Sequence, residues 1–165
     1  LADTDRARRD CAILHLAPKK VGEKMIKWLG LWVFTLAAAG AAAAQDTELL
    51  KGETLYQENC ASCHGANLEG QPDWRSRLPN GRLPAPPHDA SGHTWHHADR
   101  VLTDIITRGT AAIVGNGYES DMPGFADTLS SEDIEAILDY IKSTWPDREK
   151  AAQEDITRAD IEAQQ

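Results

Sequence analysis

Cys60-Ala61-Ser62-Cys63-His64 is the stretch that decides the reading of this chain. Two thiols three positions apart, followed at once by an imidazole, form the C-x-x-C-H pattern through which a c-type haem is attached. On a helical turn each thiol can close a thioether to one haem vinyl group, and the adjacent imidazole then lies against the iron as its proximal ligand. Five residues thus specify the cofactor, its attachment through Cys60 and Cys63, and one axial ligand, His64. Two other chemistries share part of the pattern. A thioredoxin-like dithiol needs a βαβ setting, and the flanks of Cys60 carry no alternating β-branched runs. A structural zinc site needs a second pair of soft ligands, and the only other cysteine is Cys11, upstream of an export signal.

That signal begins at Met25-Ile26-Lys27 and continues through Trp28 to Ala44, 17 residues without a charge that end in Ala42-Ala43-Ala44. A lysine, an apolar run and a small-residue site are the three parts of a secretory leader. Residues 25–44 are therefore expected to be a signal peptide cleaved near Gln45, which sends the protein to the periplasm. The rival is an uncleaved membrane anchor, since the run reaches the lower edge of a spanning length. Residues 1–24 are polar and carry Asp3, Asp5, Arg6, Arg8, Arg9 and Asp10. They make little sense before such a leader and are expected to be a gene-model extension, with Met25 as the true start.

From Gln45 onward there are 10 Lys plus Arg and 22 Asp plus Glu, a formal charge of −12. Such acidity excludes a nucleic-acid partner and favours redox proteins that dock through basic patches. The length suffices for one compact domain, placed at 45–146 and followed by a polar tail at 147–165. With a single C-x-x-C-H and no internal repeat, the domain holds one haem, which at this size supplies much of the apolar core.

The periodicity predicts a first helix over 47–59, with Leu49, Leu50, Gly52, Leu55 and Tyr56 on its buried side, delivering the cysteines at its end. Residues 65–97 contain Pro72, Pro79, Pro84, Pro86 and Pro87 and form neither a long helix nor a central strand. An ordered loop wrapped on the haem is expected there. A second helix is predicted over 98–108, with Gly109 as its stop and a turn at Gly115-Asn116-Gly117. Ser130 or Ser131 caps a last helix that runs to about Trp145, with Ile134, Ile137, Leu138 and Ile141 as its apolar stripe. The tail has few apolar anchors, so a mobile segment or a solvated helix is expected.

Met122 is the only methionine after Met25 and lies in the loop Asp121-Met122-Pro123-Gly124-Phe125. A thioether is a soft neutral donor that favours ferrous haem, so Met122 is the candidate sixth ligand; the competing role is core filler. A closed His/Met site would give a one-electron carrier, not an enzyme, because no position stays open for substrate.

These features, in this order, resemble the class I c-type cytochromes, specifically the small bacterial periplasmic monohaem ones. The resemblance covers roughly residues 49–145. It rests on Gly52-x-x-x-Tyr56, Cys60-x-x-Cys63-His64, the proline loop, Met122-Pro123 and Leu138-Asp139-Tyr140-Ile141. It implies an all-α fold of a few helices and long loops around one covalent haem c, and electron carriage between a redox donor and acceptor. It also implies that the first and last helices cross at Gly52 and Tyr140, and that Pro86 or Pro87 supplies a carbonyl for the proximal histidine.

The departure from the family pattern is His88-Asp89-Ala90-Ser91-Gly92-His93-Thr94-Trp95-His96-His97. Four histidines in ten residues suit copper or zinc, so a metal-binding or sensing module is one alternative. The plainer reading packs His93 and Trp95 at the haem edge and starts the next helix with His96 and His97. A small haem enzyme with an open iron, recruiting His93, His96 or Arg100, is another alternative. Trp74, Trp95, Tyr118 and Phe125 are candidate haem packers.

Overall fold

The computed structural model describes residues 45–165. The expected leader, its cleavage point and the segment before it lie outside the described residues. Among the described residues there is no strand, and no helix is long and apolar enough to cross a membrane.

Helix α1 runs through residues 45–59. Its buried face is Gly52 and Tyr56, with Leu49 and Leu55 half-buried beside them. Leu50, expected on that face, is 63% exposed. The reason is geometric, because two residues along an α-helix turn it about 200° from Gly52. The chain then tightens at Cys60, whose N–H donates to the Tyr56 carbonyl (2.8 Å), and enters the single turn α2, Ala61–His64.

After a loop and a 3-10 turn at Thr94–His96 comes α3, Asp99–Arg108, one residue later than expected, with His96 and His97 left before it. A short helix, α4 (Thr110–Val114), follows directly and was not legible in the sequence. Helix α5, Ser131–Ser143, opens on Ser130. The Ser130 hydroxyl accepts from the Asp133 N–H while the Asp133 carboxylate accepts from the Ser130 N–H, both at 3.1 Å. A reciprocal cap of this kind contributes about 1 kcal/mol. The helix stops two residues short of Trp145.

Helices α1 and α5 cross where α1 has no side chain. A Cβ on Gly52 would lie 2.0 Å from the Ala136 carbonyl oxygen and 3.0 Å from the Tyr140 Cβ. Glycine at that point lets the two backbones approach within packing distance. The apolar stripe of α5 then closes over Tyr56, and Tyr56 and Ile137 are fully buried. Helix α3 packs on α5 through Leu102 and Ile106.

The tail is α6, Asp147–Glu162, and it packs on the 3-10 turn. Its anchors are polar, which is why hydrophobic periodicity gave no sign of them. The buried Gln153 amide donates to the Asp99 carboxylate (2.6 Å) and to the His97 carbonyl (3.2 Å). Thr157 accepts from the Asp99 N–H at 3.1 Å, and Arg100 clasps Asp160 with two hydrogen bonds of 2.9 and 2.8 Å.

Candidate haem-binding site

Cys60 and Cys63 sit on one turn at the end of α1, Cys60 half-buried and Cys63 exposed, and both are free thiols. Burial, reinforced by Cys63, pushes the Cys60 thiol up to about 11. As a free thiol Cys60 is held in its protonated form, which makes it a poor nucleophile.

His64 is buried at 6% exposure. Its Nδ1 lies 2.8 Å from the Pro86 carbonyl oxygen, so Pro86, not Pro87, makes this contact. A carbonyl oxygen only accepts, so Nδ1 carries the proton and Nε2 keeps its lone pair. Nε2 has no hydrogen-bond partner among the described residues. Burial holds His64 below the ordinary imidazole range, with the Pro86 hydrogen bond opposing in part. A neutral ring with one nitrogen committed and the other free beside two thiols fits haem c, the iron taking Nε2 and the thiols the vinyl groups.

The loop that carries Pro86 is fastened to the segment just after the haem-attachment turn. Gln71 N–H donates to the Ala85 carbonyl (2.9 Å) and His88 N–H to the Leu68 carbonyl (2.8 Å), while Gly70 N–H folds its own segment back on the His64 carbonyl (2.7 Å). Gly70, with a φ of +69°, approaches Pro87 so closely that a Cβ would lie 2.4 Å from the Pro87 nitrogen.

The four histidines of the 88–97 segment do not converge on one point. His88 stacks on His64, with ring centroids 4.0 Å apart and 23° between planes, and its Nδ1 lies 2.8 Å from the Thr94 hydroxyl. His93 stacks on Trp74 at 5.2 Å and meets the edge of His97 at 5.4 Å, while His96 lies against Trp95 at 3.6 Å. Among the described residues no three His, Cys, Asp or Glu side chains are gathered so as to hold a metal ion. Of the aromatic candidates, Trp95 and Phe125 pack against the core. Trp74 stacks on His93 and also has the Arg75 guanidinium over its ring at 4.1 Å, and Tyr118 faces Arg77.

Met122 is half-buried and packs against the core cluster. Its Sδ accepts a hydrogen bond from the Thr110 hydroxyl (3.3 Å), and its N–H donates to Ser120 Oγ (3.1 Å). The loop is joined to α3 where Phe125 N–H donates to the Ile106 carbonyl at 2.9 Å. Arg82, from the proline loop, pairs with Asp121, the residue just before Met122. Sequence reasoning had no signal for Thr110 or Arg82, because each acts across a loop whose path only the fold reveals.

A family model described as cytochrome c matches residues 49–145. The cytochrome c550 of Pseudomonas aeruginosa is 29% identical over 142 residues, covering 82% of this chain and 85% of that protein. A Cbb3-type cytochrome c oxidase subunit CcoP of Azospirillum brasilense is 31% identical over 102 residues, which is 61% of this chain and 28% of that subunit. The nitrite reductase of Stutzerimonas stutzeri is 31% identical over 134 residues, 75% of this chain. The chain thus spans 28% of the oxidase subunit and 21% of the nitrite reductase. No solved structure matches the chain significantly.

Proposed function

The chain belongs to the cytochrome c family, and from that premise we propose that it is an exported carrier of single electrons between redox proteins. In this reading Cys60 and Cys63 hold haem c and the iron is ligated by His64 and Met122. The observation that carries it is the His64 Nδ1 contact with the Pro86 carbonyl at 2.8 Å, which fixes the tautomer a proximal ligand needs. When bound, haem c supplies one-electron uptake and release at its iron.

The chain's own residues do the rest. His64 presents Nε2 from a buried ring aimed by its hydrogen bond to Pro86. Met122 offers a thioether with one lone pair engaged by Thr110 and one still available. With His64 and Met122 both holding the iron, none of its positions would stay open for substrate, which would suit a carrier and not an enzyme. The acidic surface, −12 over residues 45–165, is suited to a donor and an acceptor with basic docking patches. Segments similar to this chain in an oxidase subunit and a nitrite reductase support redox enzymes as the class of partner.

The test is the near-infrared sulfur-to-iron charge-transfer band of the oxidised holoprotein, measured beside Met122→Ala. The band is expected in the parent and absent in the variant, with covalent haem in both. Covalent haem without the band in the parent, together with rapid carbon monoxide binding after reduction, would overturn the closed carrier and favour an open iron.

A further inference from the structure

The ring of His88 lies face to face with His64, the only one of the segment's four histidines recorded against that residue. Every polar group of His88 except Nε2 is engaged. Its N–H donates to the Leu68 carbonyl (2.8 Å), its carbonyl accepts from the Trp145 indole N–H (2.7 Å), and Nδ1 meets the Thr94 hydroxyl (2.8 Å). Thr94 is itself buried and reaches the Pro87 carbonyl at 3.5 Å. Tyr56 also meets His88 edge to face, with centroids 6.2 Å apart and planes at 75°. Tyr56 is fully buried, its hydroxyl donates to Gly65 (2.9 Å), and it packs on Tyr140 of α5 at 5.5 Å.

A single hydrogen bond from Nδ1 to Pro86 aims the His64 ring but leaves it free to tilt about that axis, since a carbonyl tolerates donors over a broad range of directions. A flat neighbour at 4.0 Å removes the remaining freedom, because tilting would drive the ring edge into it. We propose that His88 is a positioning residue that sets the plane of the proximal imidazole, with Pro86 setting its direction and Thr94 holding His88 in place. The unusual histidine in the segment after the double proline is thereby accounted for by the haem site and not by a second metal. The proposal rests on His64 being an iron ligand. The plane of an axial imidazole matters because its π orbital overlaps the iron d orbitals unequally, so the electronic anisotropy of ferric low-spin iron follows ring orientation.

The experiment is electron paramagnetic resonance of the oxidised holoprotein, with midpoint potentials, for the parent, His88→Phe and His88→Leu. Phe keeps a flat face and Leu does not. The Leu variant is expected to show a shifted and broadened largest g-value and a displaced potential, and the Phe variant is expected to stay close to the parent. Parent-like spectra and potential in the Leu variant would overturn the proposal, as would a Phe variant shifted as far as Leu. If the Leu variant fails to assemble, Thr94→Val frees the His88 ring without removing it. A smaller shift in the same sense supports the proposal and an unchanged spectrum overturns it. A parent without a low-spin signal of a nitrogen ligand would overturn His64 ligation itself, an outcome separate from loss of the stack alone.

Discussion

The two proposed ligands of the iron are held in opposite ways. His64 is buried at 6% exposure, on a turn whose backbone is continuous with α1, and the elements behind it contain Tyr56 and Ile137, both with no exposed surface. Met122 stands in a loop whose neighbours Asp121, Pro123 and Gly124 are exposed, and it is steadied by two hydroxyls and a surface ion pair. One ligand is placed by the packed core, the other by local polar contacts. Damage on the histidine side should therefore appear as lost stability or failed assembly, and damage on the methionine side as altered redox and ligand-exchange properties with the fold intact.

The strongest way to break this contrast is Gly52→Ala. The added methyl would stand 2.0 Å from the Ala136 carbonyl oxygen, a rigid backbone atom, so α1 and α5 must part. Overpacking of this kind costs about 3 kcal/mol, and α1 carries Cys60 and Cys63, the proposed attachment residues, at its end. Chemical denaturation of the holoprotein, followed by haem absorbance, should show a much lower midpoint, whereas Met122→Ala should lose far less. If Met122→Ala proves the more destabilising of the two, the core does not divide the work as described.

Much of the histidine side was legible in the sequence. The attachment pattern, the Gly52 and Tyr56 face, the Ser130 cap and the α5 stripe all arise from residues close in sequence, where helical periodicity and capping chemistry operate. What escaped was set by contacts between distant residues. Pro86 and Pro87 are equivalent on paper, and only the path of the loop gives the Pro86 carbonyl to His64, 22 positions away. The histidines leave a metal cluster open as an alternative because composition does not record direction, and in the fold His88 turns to His64, His93 to Trp74 and His97, and His96 to Trp95. A solvated helix is one expectation for the tail, but the docking of α6 escaped for a related reason, since its anchors Gln153, Thr157 and Asp160 are polar and a hydrophobic pattern cannot show them.

A smaller effect is expected on the methionine side from Thr110→Val, which removes the hydroxyl 3.3 Å from the Met122 sulfur and nearly conserves shape. A donor to the sulfur withdraws electron density and favours the ferrous state, so its loss should lower the midpoint potential. The fall should stay below about 40 mV, because a net hydrogen bond is worth ~1 kcal/mol and only the part that differs between oxidation states counts. Thr110→Ser should restore the parent value. An unchanged potential accompanied by a clear loss of stability would place Thr110 among the structural residues and weaken the contrast.

The smallest effect concerns whether charge helps to hold the histidine side at all. Lys51 of α1 pairs with Asp133 of α5 at 2.9 Å, the only ion pair recorded between these two helices among the described residues. The Lys51 hydrogen bond, followed by the Ser130 backbone and hydroxyl, holds the Asp133 carboxyl below the ordinary aspartate value of 3.8. A depressed carboxylate stabilises the fold fully above its unfolded value and loses that contribution as pH falls through its lower folded value. Asp133→Asn keeps an acceptor for the Ser130 N–H but loses the charge. The stability gap between parent and variant holoproteins should thus be constant near neutrality, shrink as pH falls below 3.8, and narrow with added salt because both partners are partly solvated. A gap that ignored both pH and salt would mean the variant had disturbed the cap instead. A gap rivalling that of Gly52→Ala would mean that the crossing of α1 and α5 owes as much to charge as to close packing, against the absence of a Cβ at Gly52.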